Sequence, residues 1–285
     1  MKLQFSGASA RYEIDAAHPI DISIPLNFNG GQPNHFGAEP AAAQPLEMGG
    51  FIGDTRRGGS CNVEIYRLIP HCNGTHTECA GHITGERLSV NEVLRECLFP
   101  ATLATVQPLK AAQTSDTYQP AKQPGDELIT RDALETALQN ASGEFLEGLI
   151  LRTLPNDASK KSRRYTEAPP PFFSLEAMRF LSGLPLKHLL VDIPSLDRMF
   201  DEGQMNAHRI FWNIPPGSRA LSADSRPDRT VTEMIYVPEA VTDGRYLASI
   251  HIPPFIADAA PGRILLFPIR VLENSSPSSG RPLPY

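Results

Sequence analysis

The stretch that decides the fold and the chemistry of this chain is Pro70-His71-Cys72-Asn73-Gly74-Thr75-His76-Thr77-Glu78-Cys79-Ala80-Gly81-His82. These residues include three of the eight histidines and two of the four cysteines in the chain, together with one carboxylate. Imidazole, thiolate and carboxylate groups are the side chains that bind transition metals in proteins. Their concentration in one short stretch predicts a metal site.

The spacing within this stretch suggests which side chains act together. If the segment is extended, alternation places Cys72, His76 and Glu78 on one face, and Gly74 between them leaves room close to the backbone. His82 lies beyond Gly81, where the chain is free to turn. The residues alone therefore predict a metal site with an additional histidine, His82, for proton transfer.

Two other interpretations of the same residues remain open from the sequence. In the first interpretation, a structural zinc ion is bound by Cys61, Cys72, His76 and Cys79, although the usual C-x2-C and H-x3-H spacing is absent. Alternatively, Cys72 or Cys79 is a nucleophile activated by His76 or His82. Each of these residues taken singly is also compatible with an ordinary place in the core or on the surface.

The composition narrows the class of protein. With 285 residues, 41% of them hydrophobic and 20% charged, the chain can bury a core of its own. A net charge of −6 argues against general nucleic-acid binding. No stretch approaches the roughly 20 apolar residues that cross a bilayer, and four cysteines are too few for a disulfide framework. We therefore expect a cytoplasmic protein that binds a small molecule, without a nucleic-acid or membrane partner.

Hydrophobic periodicity predicts a mixed α/β domain. Continuously apolar runs such as Leu149-Ile150-Leu151 are typical of strands buried on both faces. Strands are predicted over 62–69, 101–106, 148–154, 188–193, 230–237, 246–252 and 263–269. Helices are predicted over 89–98, 130–139 and 174–181, where apolar residues recur at helical spacing. We expect one domain over residues 1–272, followed by a polar, Pro/Ser-rich tail over 273–285.

The cluster resembles the H-x-G-T-H-x-D-x-P-x-H signature of the cyclase family, which includes bacterial kynurenine formamidase, isatin hydrolase and related amide hydrolases. Gly74-Thr75-His76 matches the G-T-H core, Glu78 stands at the Asp position, and His82 stands at the last histidine. Weaker likenesses to this family lie at Arg11–Ile20, Val191–Asp197, Asn206-Ala207-His208 and Thr232-Glu233-Met234.

The resemblance implies a fold, a cofactor and a set of roles. The fold is the swivelling β/β/α fold, with a central mixed sheet or barrel-like core flanked by few helices. Carried over position by position, the metal ligands are Cys72, His76, Glu78, His208 and Glu233. By the same transfer, His82 is the catalytic general base. One or two divalent ions are expected per chain, with zinc as the first choice and manganese as the alternative.

This sequence departs from the family signature at three positions. Cys72 stands where the family has its first histidine, and His71 lies one place earlier. Alternation favours Cys72 as the ligand, and a thiolate would favour zinc over manganese. Glu78 is one methylene longer than the family aspartate. Gly81 replaces the proline, which predicts a looser turn before His82.

The resemblance also implies an activity and an assembly. We expect a metal-dependent hydrolase that cleaves an amide, a cyclic amide or an ester, in the manner of kynurenine formamidase. Apart from the resemblance, the aromatic side chains of Phe28 and Trp212 are candidates for binding the substrate. A homodimer or homotetramer is expected. The alternatives are a hydrolase of lactones or cyclic imides and a non-catalytic metal- or ligand-binding protein that keeps the fold.

Overall fold

The computed structural model describes residues 1–96 and 98–272. Cys97 and the predicted tail over 273–285 lie outside the described residues. In chain order, strands β1–β18 span Lys2–Ser6, Arg11–Asp15, Ile20–Asp21, Ala42–Pro45, Glu47–Met48, Phe51–Ile52, Glu64–Arg67, His76–Cys79, Phe99–Val106, Leu109–Lys110, Glu127–Ile129, Gly148–Thr153, Phe172–Phe173, His188–Val191, Thr230–Glu233, Gly244–His251, Ala259–Pro261 and Arg263–Leu272. Helices α1–α5 span Pro70–Asn73, Val90–Val93, Arg131–Leu138, Leu175–Ser182 and Asn206–Trp212. Short 3-10 helices span Thr55–Arg57, Ala80–His82, Ala111–Gln113, Gly143–Phe145 and Ala158–Ser162.

One mixed sheet of eleven strands organises the molecule. Its order is β1-β2-β18-β16-β9-β12-β14-β15-β8-β17, with β3 paired to β18. Strands β9, β12, β14 and β15 run parallel to one another, and the remaining neighbours in the sheet pair antiparallel. Three small sheets lie outside it: β10-β11-β13, β4-β7 and β5-β6. The large sheet therefore joins the first and last described strands of the chain.

The apolar side chains of the parallel strands point alternately to two cores. Leu149 and Leu151 lie in a cluster with residues of α3, α4 and α5, such as Met178. Ile150 points to the opposite face and packs with strand residues such as Leu103. Burial on both faces explains the continuously apolar sequence of β12. This arrangement of a mixed sheet flanked by few helices confirms the predicted α/β class.

The predicted helices form to different extents. Two helices form where expected, and each begins at a capping side chain: Thr130 Oγ1 accepts a hydrogen bond from the Ala133 N–H, and Ser174 Oγ accepts one from the Ala177 N–H. The helix predicted over 89–98 covers only Val90–Val93, and Leu94 is already extended. Its β-branched valines are weak helix formers, and β9 begins soon after, at residue 99.

Among the described residues, none of the helices has the length and the apolar run that crossing a bilayer requires.

Candidate metal centre

Strand β8 carries two of the predicted ligands on one face. It lies between β15 and β17, and its four residues are all buried. His76 pairs with Glu233 and Glu78 pairs with Val231 of β15. Residues directly opposite in an antiparallel pair point to the same side of the sheet, so His76, Glu78 and Glu233 share the side that also bears helix α5. The alternation predicted for His76 and Glu78 is therefore present from His76 onward.

The same alternation does not extend back to Cys72, because residues 70–73 form helix α1 rather than a strand. Pro70 occupies the first turn, where its missing N–H is not needed, and Asn73 Oδ1 accepts a hydrogen bond from the Ile69 N–H at 2.6 Å. The assumption of an extended segment was wrong. As a consequence, it is His71 whose Nδ1 lies 2.9 Å from Glu78 Oε2.

The structure brings the metal-binding side chains into three overlapping groups of potential ligands. These groups are His71, His76 and Glu78; Glu78, His208 and Glu233; and His71, His82 and Asp258. Within each group, the ligand atoms lie within 4.8 Å of one another. Glu78 and His71 each belong to two groups, so the three groups form one continuous centre. Cys72 belongs to none of the groups found among the described residues.

His208 is held in place by a buried carboxylate. At the start of α5, Asp197 accepts hydrogen bonds from the backbone N–H groups of Ala207 and His208, at 2.6 and 3.1 Å. Its Oδ2 lies 2.6 Å from His208 Nδ1, and its Oδ1 accepts a hydrogen bond from the hydroxyl of Tyr118. A carboxylate at Nδ1 turns Nε2 of the ring toward the centre, where it lies 3.0 Å from Glu78 Oε1.

The imidazoles of His76 and His208 are both prepared to bind a cation. His76 Nδ1 lies 3.0 Å from the Gly74 carbonyl oxygen, which only accepts a hydrogen bond, so Nδ1 carries the proton and Nε2 presents a lone pair. His76 Nε2, His208 Nε2 and Glu78 Oε1 are buried and make no hydrogen bond of good geometry, although His208 Nε2 and Glu78 Oε1 face each other at 3.0 Å. Buried polar atoms without a partner cost about 1–3 kcal/mol each. Three such atoms in one centre fit a metal ion, which would satisfy them together.

The remaining group lies on the solvent side of the centre. His71 and His82 stack with their ring centroids 4.2 Å apart. Asp258 Oδ2 lies 2.9 Å from His71 Nε2 and 3.5 Å from His82 Nδ1. Their side chains are 26% to 32% exposed, whereas His76, Glu78, His208 and Glu233 are buried. Solvent therefore reaches the centre from this side.

The charges of the centre are strongly coupled. Burial alone would raise the pKa of Glu78, but the imidazoles of His82 and His208 outweigh it and hold that pKa well below its usual range. Burial opposes protonation of His71, yet Asp258 and Glu78 raise its pKa to about 10. His71 and His82 both lower the pKa of Asp258. The negative charges of Glu78 and Asp258 are therefore stabilised by positive charge nearby, which either bound protons or a metal ion can supply.

The turn before His82 is tight, which corrects the expectation of a loose one. A Cβ atom at Gly81 would lie 2.5 Å from the Leu88 carbonyl oxygen and 3.3 Å from Asp258 Cβ. Such a contact is too close for any side chain at that position. Gly81 therefore permits the close approach of two loops that places His82 beside Asp258.

Thr75 has a structural place. Its hydroxyl accepts a hydrogen bond from the Ile24 N–H and donates one to the Met234 carbonyl. It joins the start of β8 to the chain after β15, so the hydroxyl is already engaged on both sides.

The cysteine-based interpretations find no support in the geometry. Among the described residues, none of the groups of potential metal ligands contains a cysteine, and Cys61 is exposed. Burial raises the pKa of the Cys72 thiol, and it raises that of Cys79 to about 12. A thiol with a raised pKa is a poor nucleophile at neutral pH. Cys79 instead packs with Val90 and Ala260.

The two candidate substrate residues pack against different neighbours. Trp212 is completely buried, its ring lies 5.4 Å from that of His208, and its Nε1–H donates to the Arg229 carbonyl. Trp212 therefore packs against the ring of His208. Phe28 packs against Tyr66, with ring centroids 4.6 Å apart.

Sequence reasoning passed over three polar residues of the centre. His71 was visible but ranked below Cys72. Asp197 stood in the Val191–Asp197 likeness, yet nothing in that motif links it to His208. Asp258 carried no signal, because only the tertiary fold brings the loop before β17 to the turn at residues 80–82.

The comparisons with known proteins agree with this picture. The family model "Putative cyclase" (Cyclase) matches residues 14–198. Isatin hydrolase A from Labrenzia aggregata, solved with benzyl benzoate, is 14% identical with a TM-score of 0.58, covering 88% of this chain and 93% of the other. The corresponding enzyme from Ralstonia solanacearum is 16% identical with a TM-score of 0.54, covering 88% and 91%.

A third structure, a potential metal-dependent hydrolase with cyclase activity, is 16% identical with a TM-score of 0.55 and covers 88% of this chain and 98% of the other. No curated protein matches the sequence. Identities this low show a shared fold, whereas the family model covers well over half of the chain and includes the stretch of residues 70–82. The chain belongs to the Cyclase family.

Proposed function

We propose that this protein is a metal-dependent hydrolase that cleaves an amide, a cyclic amide or an ester. The observation that supports it best is the convergence of unpartnered, buried His76 Nε2, His208 Nε2 and Glu78 Oε1 on one centre with a solvent-facing edge. A structural metal site is normally closed by protein ligands, whereas a catalytic one keeps access for a substrate. The activities of the structurally similar isatin hydrolases support the same reaction class.

On the buried side, a metal ion would be held by His76, Glu78, His208 and Glu233. On the outer side, His71 would be a ligand together with Glu78. When bound, such an ion polarises a carbonyl and makes water acidic near neutral pH. The donor set is nitrogen and oxygen, so the thiolate argument for zinc no longer applies. Zinc remains our first choice because it binds such sites more tightly than manganese.

His82 has the place of a general base. Its Nε2 faces the centre, 3.9 Å from Glu78 Oε2, while its Nδ1 faces Asp258. In the proposed reaction, His82 takes a proton from the attacking water at Nε2 and returns it to the leaving nitrogen or oxygen. Asp258 fixes the orientation of the ring and stabilises the imidazolium while it carries the second proton.

The proposal is tested first by metal content and then by activity. Protein purified without added ions should contain about one or two equivalents of a divalent metal per chain. It should hydrolyse at least one of formanilide, isatin and a simple lactone, lose that activity on chelation and regain it with added zinc or manganese. Bound metal without turnover of any compound would favour the non-catalytic binding protein.

The choice between His71 and Cys72 as a metal ligand has a direct test. We expect His71→Ala to lower metal affinity by about 10- to 100-fold, because the variant loses an imidazole beside Glu78. Cys72→Ser should leave the metal content unchanged, since Cys72 lies outside the groups of ligands. Titration with zinc in the presence of a competing chelator measures both. The reverse pattern would restore the thiolate ligand.

We also propose a homodimer or homotetramer. The two small sheets β4-β7 and β5-β6 expose Met48, Ile65 and Tyr66, apolar surface that a contact between subunits would cover.

A further inference from the structure

A cavity of ≈ 630 Å³ opens beside the exposed edge of the centre, a volume that suits a small molecule. Its lining residues are Gly81, His82, Thr84, Arg87, Ile256, Ala257 and Asp258. The proposed base His82 and its partner Asp258 thus form part of the wall. A molecule in this cavity would lie directly against the groups that move the proton.

The wall is fixed by backbone contacts between two loops. The Cys79 N–H donates to the Asp258 carbonyl at 3.0 Å, and the Val90 N–H donates to the Ala257 carbonyl at 2.8 Å. Ser89 Oγ donates to the Phe255 carbonyl at 3.2 Å. These bonds hold residues 255–258 against the segment that follows β8, so the cavity has a built shape.

Arg87 is the positive group of this cavity. Asp258 is matched by His71 and His82, which leaves it little charge to offer a ligand. Within residues 1–96 and 98–272, the guanidinium of Arg87 has no carboxylate oxygen within 4.0 Å. Its neighbour Glu86 does not line the cavity. A guanidinium presents a planar set of donors that matches a carboxylate.

The remaining surface at the rim is apolar. Ile256 lines the cavity and is 87% exposed, and the adjacent Phe255 is 45% exposed. Apolar side chains this exposed beside a reactive centre are suited to cover the apolar body of a ligand.

We propose that the substrate carries a carboxylate, which Arg87 binds, and a small apolar body, which lies against Ile256. The substrate class is therefore an anionic amide or ester, with its scissile carbonyl turned toward His82. This inference rests on the proposed hydrolase function and adds the specificity of the same centre. The exposed position of Arg87 limits its effect to roughly three- to tenfold in KM or affinity.

The test uses two substrates that differ only in a carboxylate, 3-formamidobenzoate and formanilide. Arg87→Gln should raise KM for 3-formamidobenzoate about three- to tenfold and leave kcat nearly unchanged. Both constants for formanilide should stay as in the wild type, and Arg87→Lys should restore part of the loss. Arg11→Gln, on strand β2 far along the sheet, is the matched control. Equal effects of Arg87→Gln on both substrates would overturn the proposal.

A binding measurement separates this inference from the proposed function. Calorimetric titration with benzoate, before and after removal of metal, should show binding that Arg87→Gln weakens in both states. Added salt should weaken wild-type binding more than that of the variant, because it screens the charge. Binding that disappears with the metal and ignores Arg87 would place the carboxylate on the metal and overturn the proposal. If neither formamide is hydrolysed, the hydrolase proposal fails for formamides, and the benzoate result alone decides the role of Arg87.

Discussion

Replacing His82 with alanine is expected to lower kcat by about two to four orders of magnitude while the protein keeps its metal. The imidazole lies at the solvent edge of the centre, whereas the four proposed ligands His76, Glu78, His208 and Glu233 are buried. Without it, the proton of the attacking water has no acceptor held by Asp258. Activity on whichever compound the wild type cleaves best, together with elemental analysis, measures both parts of the prediction.

A matched histidine variant separates this effect from a general loss of charge. His18 is 81% exposed and contacts Asp15 at the end of β2, far from the centre. His18→Ala should retain wild-type activity and metal content. A fully active His82→Ala protein would show that another group takes the proton, whereas a metal-free one would make His82 a ligand.

Replacing Glu78 with glutamine is expected to lower metal affinity by more than about 100-fold and to abolish hydrolysis. Glu78 belongs to two of the three groups of ligands, so its charge acts on both sides of the centre. Glutamine keeps the shape but presents a neutral amide to His71 and His208. Competition with a chelator gives the affinity, and activity with saturating metal shows whether function returns.

The control for Glu78→Gln is Glu92→Gln on the exposed side of α2, which should change neither quantity. Thermal unfolding of the metal-free proteins tests whether the Glu78 variant still folds. A folded Glu78→Gln protein with wild-type metal content would contradict the assigned centre.

The extent to which the sequence predicts the fold follows from burial. The apolar runs of β12 and β14 favour a strand covered on both faces, and these strands form where predicted. The segment 62–69 alternates between apolar and polar residues, as a strand with one buried face would. The strand that forms there, β7, is nevertheless exposed and pairs only with β4 in a small sheet. Alternation alone does not reveal which sheet a strand will join.

The sequence predicts only part of the candidate centre, for a similar reason. His76 and Glu78 follow from strand periodicity, because both lie on one short strand. The sequence ranks His71 below Cys72, but one helical turn over residues 70–73 replaces the extended chain and brings His71 beside Glu78. Asp258 is brought in by contacts across most of the sequence, and Asp197 by the loop that precedes α5, and no local pattern encodes either.

The position of β8 in the sheet has a consequence for the order of assembly. This early strand is inserted between β15 and β17, whose residues pair with it across more than 150 positions of sequence. Contacts of such separation form late, because a long loop must close first. While the chain is being synthesised, His76 and Glu78 emerge long before Glu233 and Asp258. We expect the complete set of proposed ligands to assemble only after nearly the whole domain has been made, although His71, His76 and Glu78 emerge together early.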